Sequence, residues 1–150
     1  MISIQDLKEF ALHIQNLIEL EKIFLVSREE QLQKFIKEIE SNKAFGILVI
    51  PASKGEGENQ DNYTESSILL IYLLQKVNDK STDHDSYLNI LAALQDKLKL
   101  LKTDFINAID NCDHAQHILL KKLDLKSTHT DPEFNYIGCH GWSFSFRVKN

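Results

Sequence analysis

The chain has 150 residues, a length that fits one domain around one core. Hydrophobic residues make up 43% and charged residues 26%, a profile that excludes a disordered chain. Seventeen basic against 22 acidic residues leave a net charge of -5, which argues against a protein built to hold DNA or RNA, since phosphate binding needs a net basic face. No apolar run approaches the roughly 20 residues of a membrane helix. The start, Met1-Ile2-Ser3-Ile4-Gln5-Asp6, lacks the basic and apolar regions of a signal peptide. Cys112 and Cys139 are too few for a disulfide framework. A reduced, cytoplasmic protein is expected.

Leu7, Phe10, Ala11, Ile14, Leu17 and Ile18 recur at helical spacing and predict a first amphipathic helix. Ile23-Phe24-Leu25-Val26 reads as a short strand. Ser27 with Glu30 three residues on has the pattern of a capping box, opening a second helix through Leu32, Phe35, Ile36 and Ile39 to Ser41-Asn42. Residues 44–50 are apolar and β-branched and stop at Pro51, which predicts a strand buried on both faces. Residues 53–62 are polar and carry Gly55 and Gly57, so an exposed loop is expected. Residues 66–77 are apolar again and read as a strand, on their Ile and Tyr content and their place between loops.

Asp83 or Ser81 is placed to cap a long third helix. Its stripe is Tyr87, Leu88, Leu91, Leu94, Leu98, Leu101, Phe105 and Ile109, with Asn111 as its end. Residues 117–125 are expected as a strand. Thr128-His129-Thr130-Asp131-Pro132 is expected as a turn, because proline restricts the residue before it. Trp142, Phe144, Phe146 and Val148 alternate with Ser143, Ser145 and Arg147, a period-two strand with one aromatic and one polar face. These elements predict an α+β domain over residues 1–150: a mostly antiparallel sheet, helices packed on one face, and one long helix before two C-terminal strands. Such a sheet can leave its polar face to solvent or a partner.

Cys112, His114 and His117 lie close in sequence, with Cys139 and His140 further on. Thiolate and imidazole are zinc ligands, so a small metal- or thiol-dependent enzyme is one alternative. The spacing matches no standard zinc pair, and the plainer reading is a set of polar residues around a helix end, with Cys112 as a small hydrophobe. Cys139 and His140, as neighbours on a strand, point to opposite faces and cannot activate one another. Gly55-Glu56-Gly57 is not a phosphate cradle, because Lys54 precedes the glycines and acidic residues follow. No catalytic, cofactor or metal residue is assigned. Trp142 reads as a core aromatic or as an interface anchor.

An N-terminal helix, a two-strand unit with a long polar hairpin over residues 44–77, and a long helix before two closing strands together resemble a phage tail-terminator or neck protein. The ending Glu133-Phe134-Asn135-Tyr136-Ile137-Gly138-Cys139-His140-Gly141-Trp142-Ser143-Phe144-Ser145-Phe146 is similar to the closing strand of such proteins. The strand and helix over residues 23–41 depart from their simplest pattern. The resemblance implies a non-enzymatic ring component, cytoplasmic or in the virion, that contacts copies of itself and tail or neck proteins. It implies no nucleic-acid or membrane partner. Gly55, Glu56, Gly57, Asn59 and Trp142 are the expected contact residues. A cytoplasmic adaptor domain with a different protein partner is the remaining alternative.

Overall fold

A computed structural model describes residues 1–77 and 83–149. The architecture is α+β. Helix α1 (Ile4–Leu17) opens at Ser3, whose hydroxyl accepts the Asp6 N–H, and it buries Leu7, Phe10, Ala11 and Ile14. Strand β1 (Ile23–Val26) follows as expected. The second helix, α2, is shorter than its periodicity suggests and covers Leu32–Ile36 after a 3-10 turn at Glu29–Gln31. A one-sided link stands where the Ser27–Glu30 capping box is expected, with the Ser27 hydroxyl donating to Gln31 rather than accepting a backbone N–H. Gln31, not Glu30, reaches back, and its Oε1 accepts the Ser27 N–H at 2.8 Å.

Strands β2 (Ala44–Val49), β3 (Ser53–Glu56) and β4 (Thr64–Lys76) form one long hairpin. Helix α3 (His84–Asp110) is capped by Asp83, whose carboxylate accepts the Ser86 N–H at 2.8 Å; the alternative cap, Ser81, lies outside the described residues. Residues 117–125, expected as a strand, instead begin with the short helix α4 (His117–Leu120). Strand β5 (Leu123–Tyr136) then runs straight through the expected turn at residues 128–132, and β6 (Cys139–Lys149) closes the chain. Pro132 sits in β5 because β5 is a sheet edge, where a missing N–H leaves no ladder bond unmade.

The strands form one sheet in the order β1-β2-β4-β6-β5, with β3 pairing β4 beyond the end of β2. Among the described residues, only β1 and β2 pair in parallel. Alternation along the strands divides the sheet into two faces. Leu69, Ile71, Leu73, Phe144, Phe146 and Val148 meet α1 and α3 on one face. There Phe105 of α3 lies 5.2 Å from Phe10 of α1 and 5.5 Å from Phe146, ring centre to ring centre. Each such buried side chain stabilises the fold by about 1.5–3 kcal/mol. On the other face, Phe24, Val26, Phe45 and Ile47 take the smaller cover of α2 through Leu32 and Ile36.

Gly141 lies tight against β4, and a Cβ there would fall 1.9 Å from the Leu73 carbonyl oxygen. Among the described residues, no helix is long and apolar enough to cross a membrane.

Candidate functional site

The cysteines and histidines that stand together in sequence are dispersed by the fold. Helix α3 ends at Asn111, whose Oδ1 accepts the Asp113 N–H; backbone bonds from His114 to Asn111 and from His117 to His114 then wind the chain into α4. This tight turn leaves Cys112 exposed and sends His114 and His117 to different partners. The His117 Nδ1–H donates to the Ala108 carbonyl at 2.6 Å, since a carbonyl can only accept. Cys139 is buried on the α2 face, and its thiol donates to the Ile137 carbonyl at 3.7 Å. His140, one residue on, lies on the α3 face. It stacks on Phe134 at 4.9 Å and meets the Tyr87 ring edge-on at 5.0 Å, and its Nδ1 accepts the Asn135 N–H.

The side chains that do converge are His13, Asp104 and His114, whose candidate ligand atoms all lie within 4.8 Å of one another. Helix packing builds this cluster. Phe10 and Phe105 bring α1 against α3, and His13, three residues beyond Phe10, therefore reaches Asp104, next to Phe105. The tight turn after α3 supplies His114. Asp104 Oδ2 lies 2.7 Å from His13 Nε2, and Oδ1 lies 2.8 Å from His114 Nε2.

The His114 Nδ1 accepts the Gln116 N–H at 3.0 Å, so the neutral ring carries its proton on Nε2 and donates it to Asp104. Partial burial is the largest single influence on Asp104 and works to raise its carboxyl pKa. The hydrogen bonds from His114 and His13, and the attraction of both rings, together outweigh burial and hold the carboxyl below its ordinary value. The result is a polar clasp joining α1, α3 and the turn.

The expected contact residues lie elsewhere. The predicted loop over residues 53–62 is half strand, since Gly55 and Glu56 belong to β3 and pair with Glu65 and Thr64. Gly55 lies under the Tyr63 ring; a Cβ there would meet the phenol oxygen at 2.8 Å. Gly57 has φ +135, a conformation that favours glycine. Asn59 and Asn62 then cap one another's backbone: Asn59 Oδ1 accepts the Asp61 and Asn62 N–H groups, and Asn62 Oδ1 accepts those of Glu58 and Asn59. Trp142 is half-buried and turned inward, with its indole N–H donating to the Leu91 carbonyl of α3 at 2.9 Å.

Comparison with protein-family models and with curated proteins finds no match. The geometry of the chain's own residues therefore carries its functional reading.

Proposed function

We propose that the chain is a non-enzymatic assembly protein whose β3–β4 arm docks on a neighbouring protein, foremost another copy of itself. The observation that carries this reading is the state of residues 54–64. All are exposed, yet they form a paired, capped hairpin end. A loop that only connects strands has no need of reciprocal asparagine caps. A preformed arm loses little conformational freedom on docking, which is the main cost of binding through exposed segments. Tyr63, 55% exposed and opposite Gly57 at the arm end, offers the kind of aromatic contact that interfaces favour.

The sheet edges offer less. On β5, the five steps from Asp124 to His129 face only two on β6, from Arg147 to Ser145, so the edge bulges. Pro132, Asp131 and Glu133 follow, and bulges, proline and charge all discourage strand addition. The other edge, β1, is four residues long. The order of elements, with an N-terminal helix, an armed hairpin, a long helix and two closing strands, is the order that carried the resemblance to phage tail-terminator and neck proteins. On that reading the arm's partner is the next subunit of a ring, and the surrounding partners are tail or neck proteins.

Amide hydrogen exchange tests the docking directly. Exchange over residues 54–64 slows as protein concentration rises, while exchange in the α1–α3 layer stays constant. Arm exchange that is independent of concentration overturns self-association through the arm.

A further inference from the structure

The His13, Asp104 and His114 cluster also has the composition of a metal site. Two imidazoles and one carboxylate suit zinc and ferrous iron, whereas magnesium and calcium take mostly oxygen ligands. The three residues keep 21, 17 and 12% of their side-chain surface exposed, which gives an ion a route in. Three protein ligands leave a fourth position for water. In a tetrahedral shell with bonds of about 2.0–2.2 Å, neighbouring ligand atoms stand about 3.3 Å apart. One ligand atom from each residue already lies within 4.8 Å of the others, and the short contacts of 2.7 and 2.8 Å reach different Asp104 oxygens, so the contact to the ligating oxygen opens by about half an ångström while the other two pairs close by at most about 1.5 Å.

We propose that His13 Nε2, Asp104 and His114 Nε2 bind a divalent first-row transition metal ion, pinning α1 to α3 and to the turn that follows it. Coordination takes the place of the two Nε2–H···O bonds. Each neutral ring shifts its proton to Nδ1 and offers the Nε2 lone pair, so no proton is lost from a neutral ring. At His114 the protonated Nδ1 can no longer accept the Gln116 N–H, and that bond breaks. Metal loading therefore moves the turn leading into α4, a consequence that a purely structural clasp does not share.

Zinc added to the chelator-stripped full chain tests the site, read by calorimetry and by nitrogen–proton spectra of the imidazoles and amides. Saturable, stoichiometric binding is expected. It shifts the ring nitrogens of His13 and His114 and the Gln116 amide, and leaves His140 unmoved. Cys112→Ala, which removes the exposed thiol on the same turn, leaves affinity unchanged, whereas His13→Ala or Asp104→Asn weakens it at least about tenfold. Binding that follows Cys112, binding that survives loss of His13, or no saturable binding overturns the proposal. Where a substituted chain fails to fold, the imidazole spectrum of the unaltered protein decides alone.

Discussion

The α1–α3 layer and the β3–β4 arm are ordered by opposite means. In the layer, partners are far apart in sequence: Phe10 meets Phe105, and His13 meets Asp104 across 91 residues. In the arm, the capping bonds close within four residues, through Asn59, Asn62 and Tyr63. The first region holds the fold together, and the second keeps its own shape without burying anything. Substitutions in the two regions should therefore separate stability from association.

The largest effect is expected in the layer. Phe105→Ala empties the centre of the aromatic cluster and should cost about 3–5 kcal/mol in denaturant unfolding. A loss below about 1 kcal/mol would mean that the layer repacks and is not the main support.

Asp104→Asn should cost about 1–3 kcal/mol, because it weakens charge-assisted bonds to two histidines. Its effect should depend on pH. The folded Asp104 carboxyl is held below its ordinary value, so its stabilisation is fully present above about pH 3.9 and fades as pH falls through the lower, folded value. Unfolding of the original chain should accordingly be steeper in acid than that of the Asn variant. Parallel curves would remove Asp104 from the account.

Gly57→Ala should change global unfolding by no more than about 1 kcal/mol, since its strain is confined to the arm end. There the new Cβ would lie 2.6 Å from the Asn62 carbonyl oxygen, so the cap must deform and association should weaken. Asn59→Ala should act in the same direction by about 0.5–1 kcal/mol of local stability, visible in arm exchange and not in the unfolding midpoint.

The same contrast explains what the sequence makes legible. Helices α1 and α3 and strand β6 carry their period in consecutive residues, whereas β1, β2 and β4 read as apolar runs because both of their faces are covered. Strand β5 was masked by Pro132, which reads as a breaker until β5 is known to be an edge. Residues 117–120 are apolar enough for either a strand or a helical turn, and the backbone bonds after Asn111 select the helix. The glycines of the arm read as loop because the Asn59–Asn62 caps depend on geometry that composition does not encode.

His114 stood out beside Cys112 and His117, yet its partners are His13 and Asp104. Neither has a local signal. His13 lies at the margin of one apolar stripe and Asp104 at the margin of another, and only the packing of α1 on α3 joins them.

Solution mass by light scattering, for the original chain and for one with residues 57–63 replaced by a tight Asn-Gly turn that keeps Glu56 opposite Thr64, tests the central claim most directly. The account predicts a multi-subunit particle for the original and a folded monomer with an unchanged unfolding midpoint for the shortened chain. Equal masses for the two folded chains would contradict it.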